Sequence, residues 1–449
     1  MQFLHDLWVR LRALGRRFSP PQFLLLGFGS YALLGTLLLA LPFAQTGSIG
    51  WIDNLFVAVS AMSTTGLSTV STGDDYTWFG QAAILVLFQL GGIGYMTLSS
   101  FVILARKQKL GQGRESVLKA QFALPQDFQI RLFVRQVVLF TLIVETLGAV
   151  ALLIEFQAAG EEAPVWSALF HSISAFCTAG FSLHNNSLEA YRANPVVNAT
   201  IAGLCYAGGI GFIVLQDAWL CLRVRGRKLT FTSRVILAMT LAVLLLGTPL
   251  LFFLDPWIAS LPPGEGLMAA AFQVMTASST AGFNTVPIGQ LGAASLLLLS
   301  MVMVIGASPS GTGGGVKTTS VSALVAVVLG TLRGTGRVTL GRNEIPTPRV
   351  HTAVTNVTLY LTTLFLGLFA LGLARHEITL SLAFEAASAL GTVGLSMGET
   401  GNLNSAGKLI VTVLMFLGRV GPLTAGLAFL GRRAQGTAPE PTQPGDLTV

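Results

Sequence analysis

SAMSTTGLST at 60–69 returns as SAFCTAGFSL at 174–183, TASSTAGFNT at 276–285 and SALGTVGLSM at 388–397. Each copy keeps a Ser or Thr followed by Ala, then Thr, one variable residue, Gly, a bulky Leu or Phe, and Ser or Asn. The glycines Gly66, Gly180, Gly282 and Gly394 lie about a hundred residues apart, which marks a fourfold internal repeat. An apolar segment precedes each copy, at 51–63, 164–177, 266–279 and 378–391. At about 13 residues, such a segment is too short to cross a bilayer core, which needs about 20 in helical form.

Longer apolar stretches flank each copy in pairs: 22–44 with 80–104, 130–155 with 196–222, 233–254 with 292–329, and 350–374 with 405–430. Each repeat therefore reads as a spanning helix, a half-helix that enters the membrane and turns back, and a second spanning helix. The fold expected is an all-α polytopic membrane protein. Its eight transmembrane helices would form four helix–pore loop–helix repeats with pseudo-fourfold symmetry around one pore.

Composition agrees. Of 449 residues, 52% are hydrophobic and only 10% charged, against about 25% charged in soluble domains. The net charge of +7 is spread over short connectors without a basic, aromatic-bearing face, which excludes nucleic acid as a partner. Basic residues collect at the N-terminus (Arg10, Arg12, Arg16, Arg17), in 105–135, in 223–234, in 333–349 and at Arg432 and Arg433. The positive-inside rule makes these segments cytoplasmic and turns every motif outward. The division that follows is a basic cytoplasmic N-terminus at 1–21, repeats at 22–105, 129–223, 232–330 and 350–431, and a disordered cytoplasmic tail at 432–449. Acids such as Asp53, Asp74, Asp75, Glu155, Glu161, Glu189, Asp255, Glu265 and Glu399 fall on the outer loops. There they either solubilise the loops or concentrate cations at a pore mouth. Cys177, Cys205 and Cys221 have no framework or zinc-ligand spacing, so free thiols are expected.

Four re-entrant loops around an axis satisfy their backbone by directing carbonyls inward, where these replace the hydration shell of a cation. Glycine suits a turn with unusual φ and no Cβ in the way. Small residues can also serve close helix packing, but four copies at the same place in four repeats favour an ion path. The lining expected is Thr64, Thr65, Gly66 and Leu67; Thr178, Ala179, Gly180 and Phe181; Thr280, Ala281, Gly282 and Phe283; and Thr392, Val393, Gly394 and Leu395.

The second helix of the repeat carries LGGIG at 90–94, AGGIG at 207–211 and LGRVG at 417–421, whereas the third repeat reads IGASPSGTGGGVKTT at 305–319. Proline and several glycines destabilise a helix interior, by about 3 and 1 kcal/mol each relative to Ala, so this helix should break below the filter. GTGGGVKT resembles a phosphate-binding loop, but Val316 separates the last Gly from Lys317, and the stretch lies between apolar runs. Nucleotide binding by this chain is excluded on that ground. Arg419, in the middle of an apolar helix, costs about 2.5–3.5 kcal/mol to insert and should face the pore or a partner. Glu145, Glu385 and Lys317 read as paired structural charges or as functional ones, Asp217 as interfacial and His171 as a packed polar residue.

The motif set, its fourfold spacing and the eight-helix plan resemble the Trk/Ktr/HKT superfamily of potassium transporters from about 20 to 430. The chain is most similar in length to the bacterial Ktr membrane subunit. That resemblance implies a potassium-translocating subunit, not an enzyme, in the bacterial plasma membrane, with both termini cytoplasmic. Potassium is its substrate ion, held at the filter residues above. Sodium is a candidate activator, and no cofactor is covalently bound. In the plant HKT branch a Ser at the first filter position favours sodium; Gly66 stands there in this sequence. The broken helix is implied to be a gate: Gly306, Ala307, Ser308, Pro309, Ser310, Gly311, Thr312, Gly313, Gly314, Gly315 and Lys317, with Arg419 as an electrostatic barrier held against it. The partners implied are a second copy in a homodimer, membrane lipid, and a cytosolic nucleotide-binding ring of RCK type. Open alternatives are a sodium-coupled or sodium-permeable transporter, and the ion-binding subunit of a potassium pump, which would need further helices.

Overall fold

The computed structural model describes residues 18–94, 97, 100, 115, 118, 130–335 and 337–430. The N-terminal arginines, most of the basic connector after the first repeat, Arg432, Arg433 and the tail lie outside them. Over the described residues one order of elements returns four times. A long apolar helix (Pro20–Leu39, Ile130–Ala158, Phe231–Leu254, Thr347–Arg375) leads to a half-helix (Trp51–Ser63, Pro164–Phe176, Pro263–Ser279, Leu380–Gly391). The four long helices are each long and apolar enough to cross a membrane. They turn side chains such as Leu34, Ile154, Leu245 and Phe365 outward, as a wall facing lipid requires. The half-helices are buried instead. Phe56, Phe170, Phe176, Phe272 and Leu390 join the core that packs between them.

The second helix of each repeat departs from expectation. The stretches 80–104, 196–222 and 405–430 read as continuous spans, with a break only in the third repeat. In the structure Trp78–Ile93 ends at Gly94. Pro195–Gly209 turns through 98° into Phe212–Arg223, and Ser405–Val420 turns through 89° into Pro422–Leu430. In the third repeat Ala293–Ile305 and Thr318–Leu332 are joined by 306–317. The physical cause is the last residue of the GGIG-type motif. Gly94, Gly211 and Gly421 adopt φ of 88°, 95° and 87° with ψ of 126°, 134° and 129°, a conformation that no helix contains. The expected all-α fold has one small exception. Thr339–Leu340 and Asn343–Glu344 pair as a hairpin in a basic connector, closed by a turn with Gly341 at φ 64°.

Candidate functional site

All four half-helices end in the same way. Thr64, Thr178, Thr280 and Thr392 take left-handed conformations, with φ of 55°, 50°, 57° and 48°. The next residue donates its N–H back to the carbonyl of the Ser or Thr that opens the motif. These bonds run from Thr65 to Ser60 (2.9 Å), Ala179 to Ser174 (2.8 Å), Ala281 to Thr276 (2.9 Å) and Val393 to Ser388 (2.8 Å). This is a helix stop that normally uses glycine at the left-handed position. A β-branched Thr there is a genuine outlier, and strain of that kind gathers at functional sites. The opening hydroxyls clamp the loop further: Ser60 and Ser388 accept from the N–H of Gly66 (3.1 Å) and Gly394 (3.0 Å), and Ser174 donates to the Phe181 carbonyl (2.8 Å).

The four glycines then meet. A methyl group placed on Gly66 would lie 3.0 Å from the Cα of Gly180. One on Gly180 would lie 2.7 Å from the Ala281 carbonyl oxygen and 3.1 Å from the Cα of Gly282. One on Gly282 would lie 3.0 Å from the Cα of Gly394, and one on Gly394 3.2 Å from the Cα of Gly66. The order 66, 180, 282, 394 and back to 66 is a closed ring with no room for a Cβ. All four glycines also have positive φ, between 68° and 98°. The C-terminal ends of the four half-helices abut this ring, and their dipoles place partial negative charge there.

Residues 306–317 lie directly against the threonines that precede the glycines. Thr312 Oγ1 is 3.1 Å from Thr178 Oγ1, the Thr280 hydroxyl accepts from Gly314 N (3.0 Å), and Thr64 Oγ1 is 3.4 Å from the Thr312 carbonyl. The loop is tied laterally to the second-repeat break, through Ser308 N to the Gly209 carbonyl (3.2 Å), Thr312 N to the Gly208 carbonyl (3.1 Å) and Phe212 N to the Ser310 carbonyl (3.2 Å). Arg419 donates to the Thr312 carbonyl and to the carbonyls of Gly91 and Gly92 (3.1 Å for the latter), and its Nη1 is 3.2 Å from Thr64 Oγ1. Lys317 Nζ donates to the Gly313 carbonyl (2.5 Å) and is 3.5 Å from that of Gly314. A cavity of about 290 Å³ opens beside the loop between Arg419, Lys317, Thr352, Asn356 and Tyr360.

Lys317 also has φ 84° and ψ 133°, within a few degrees of Gly94, Gly211 and Gly421. It ends the third-repeat loop in the glycine-type conformation that ends the motif elsewhere. The signal in the sequence is the alignment of GGVK (314–317) with GGIG, which sets Lys317 at the place of the last glycine.

Glu145 and Glu385 find neutral partners. Glu145 is buried and accepts from Gln89 Nε2 (3.0 Å). Glu385 accepts from Ser396 Oγ (2.5 Å), Met397 N (3.1 Å) and Thr400 Oγ1 (2.7 Å). Asp217, expected at the interface, is buried and accepts from Thr230 N (2.7 Å), tying down the connector that follows its helix. Several outer-loop acids do structural work rather than stand free. Asp255 is fully buried and caps Pro256–Ala259 through Trp257 N (2.9 Å) and Ile258 N (3.0 Å). Asp53 pairs with Lys408 (2.6 Å), Glu265 with Arg192 (2.5 Å) and Glu399 with Arg375 (3.4 Å). At Glu161 burial works to raise the pKa, but hydrogen bonds from His184, Tyr191 and Ser167 outweigh it and hold the carboxyl at about 2.

A family model described as TrkH, cation transport protein, matches residues 30–436. The chain belongs to this family. Relatives of this TrkH-family chain match along nearly their whole length. The Ktr system potassium uptake protein B of Bacillus subtilis is 36% identical over 418 residues, covering 92% of this chain and 93% of that protein. Its counterpart in Vibrio alginolyticus is 34% identical over 429 residues, covering 94% and 92%. The potassium/sodium uptake protein NtpJ of Enterococcus hirae is 34% identical over 429 residues, covering 92% and 94%. The crystal structure of the potassium transporter TrkH from Vibrio parahaemolyticus aligns with a TM-score of 0.74 over 92% of this chain and 85% of that one, at 22% identity, and shares the fold. The resemblance drawn from the repeated motif thus holds, and the protein is a multi-pass membrane protein of a cation-transport family.

Proposed function

We propose that this chain takes up potassium across a bacterial plasma membrane through the ring of four loops. The closed ring of Gly66, Gly180, Gly282 and Gly394, with no space for a Cβ, carries the proposal. Each loop passes from positive φ at Thr, through a residue of negative φ, to positive φ at Gly. Such alternation aligns successive carbonyls instead of opposing them, which is what replacing a hydration shell demands. The four residues after each half-helix (64–67, 178–181, 280–283 and 392–395) form the filter. The side chains differ between copies before the glycine (Thr65, Ala179, Ala281, Val393) and after it (Leu67, Phe181, Phe283, Leu395), so the shared chemistry belongs to the backbone. Residues 306–317 form the gate: their bonds to the filter threonines and to Arg419 describe a closed state, and Arg419 adds a positive charge against a permeant cation.

The basic connectors face the cytosol, where a nucleotide-binding ring of RCK type docks and biases the gate, and the translocating unit is a homodimer with one pore per chain. Potassium as the substrate is supported by the two Ktr relatives, both potassium uptake proteins. NtpJ, a potassium/sodium uptake protein, favours a second reading in which sodium is coupled or activating.

Rubidium-86 uptake into proteoliposomes, with and without sodium, tests both readings. Selective uptake that is lost in Gly180→Ser or Gly282→Ser supports the filter. Equal permeation of potassium, sodium and lithium refutes it. Stimulation of rubidium uptake by sodium selects the second reading.

A further inference from the structure

Nine residues before the filter glycine, three of the four half-helices carry a buried polar side chain: His171, Gln273 and Glu385. Each reaches past its own filter turn to a hydroxyl two or three residues beyond the glycine. His171 Nε2 is 2.9 Å from Ser182 Oγ, Gln273 Nε2 is 3.2 Å from Thr285 Oγ1, and Ser396 Oγ lies 2.5 Å from Glu385 Oε1. Gln273 Nε2, an amide N–H, donates to Thr285, and direction is settled in the other two cases as well. His171 Nδ1 lies 2.7 Å from the Ser167 carbonyl, which can only accept, so the neutral ring carries its proton there and Nε2 accepts from Ser182. The Glu385 carboxylate accepts from Ser396, and also from Met397 N and Thr400 Oγ1. In the first repeat the same position is Val57, also fully buried, and Ser68 turns to its own neighbour, donating to the Val70 carbonyl (2.6 Å).

We propose that His171, Gln273 and Glu385 are positioning residues that brace the outgoing strands of filter loops two, three and four from behind, leaving the first loop unbraced and the most compliant of the four. The proposal rests on the filter reading above. A ring of carbonyls discriminates between cations only while its size or its ligand number is held. Each filter loop leaves its half-helix through a strained left-handed Thr, and backbone held in such a state persists only where surroundings over-determine it. The motif's own clamp, from the residue after Thr back to the helix, fixes the incoming side of all four loops. Beyond the glycine the motif's own bonds reach only the Phe181 carbonyl, from Ser174, and the polar residue nine positions back adds a tie in the second, third and fourth loops. The His171, Gln273 and Glu385 ends of these bonds are buried, and the Gln273–Thr285 bond is buried throughout, so a partner left unsatisfied there is costly and the geometry is enforced.

The test is the ratio of rubidium to sodium uptake in proteoliposomes, a ratio that does not depend on how much protein folds. Ser182→Ala, Thr285→Val and Ser396→Ala delete one hydroxyl each and are expected to lower the ratio about tenfold, the effect of one lost buried hydrogen bond. Ser68→Ala, at the unbraced loop, is expected to leave it at the wild-type value. Glu385→Gln, which keeps an acceptor for Ser396, is expected to retain more of the ratio than Glu385→Val. Wild-type ratios in Ser182→Ala, Thr285→Val and Ser396→Ala overturn the braces while the filter reading stands. Equal losses in those variants and in Ser68→Ala overturn the asymmetry. A wild-type protein that does not discriminate rubidium from sodium sinks the filter reading instead.

Discussion

Replacing Arg419 by Ala should raise uptake. The Arg419 fork spans two structures, donating to the Thr312 carbonyl on one side and to Gly91 and Gly92 on the other. Only the bond to Thr312 holds the loop directly. A hydrogen bond from a charged donor contributes about 1.5–3 kcal/mol, and about 1.4 kcal/mol is a factor of ten. Losing this one bond therefore shifts the closed-to-open ratio of the loop by about tenfold to a hundredfold, and uptake follows until the open form dominates. Removing the guanidinium also removes a fixed positive charge beside the threonines of the ring, which acts in the same direction on a cation. Initial rates of rubidium-86 uptake in proteoliposomes, normalised to inserted protein and measured without a regulatory partner, read the effect. Arg419→Lys should fall between wild type and Ala, because one ammonium keeps the charge but cannot reproduce the two-sided fork. An Arg419→Ala protein with wild-type initial rate, and with wild-type response when a regulatory ring is added, would refute the reasoning.

Lys317→Gly should fold as well as wild type or better, since glycine relieves a backbone strain of about 1–3 kcal/mol, yet take up rubidium faster because the tether to Gly313 and Gly314 is gone. A lower melting temperature in detergent would show that Lys317 is not strained. Asp255→Ala removes a buried acceptor from Trp257, Ile258 and Gly292, and should cost about 2 kcal/mol, seen as a lower melting temperature with unchanged ion selectivity. The Glu161 carboxyl is held at about 2, below the usual value of about 4.3, so its stabilising effect is complete above about pH 4 and is lost as pH falls toward 2. Glu161→Gln should flatten the acid-unfolding curve over that window; superimposable curves for the two proteins would count against the assigned bonds.

The sequence carried the half-helices well, because their length, their burial and their shared terminal motif are local properties. Their observed bounds, such as Trp51–Ser63 and Leu380–Gly391, fall within a few residues of the apolar runs that announced them. Outside the third repeat, the breaks in the second helices are not legible in the sequence, for an equally physical reason. Hydropathy sees only that 196–222 and 405–430 are apolar, whereas the bends of 98° and 89° are made by single backbone torsions at Gly211 and Gly421 that hydropathy cannot register. Lys317 was harder still: a lysine gives no local signal for positive φ, and only its place in the repeat does. The polar residues at 171, 273 and 385 share a register across three repeats, but their partners lie beyond a turn, and nothing linear joins them.

What the sequence determined by itself was the fourfold plan. Four copies of one motif, each after a segment too short to span and each between apolar stretches, admit few other arrangements in a solvent that leaves no backbone group unpaired. It also singled out Arg419 and 306–315 as the places where the repeats differ. Tertiary structure alone decided that Gly66, Gly180, Gly282 and Gly394 close into a ring, and that the loop sets Thr312 against Thr64 and Thr178 and Gly314 against Thr280. The reason is that the ring contacts and those of Thr312 join residues more than a hundred positions apart. A glycine announces that it can turn, but whether a Cβ would be excluded depends on which carbonyl from another repeat occupies the space.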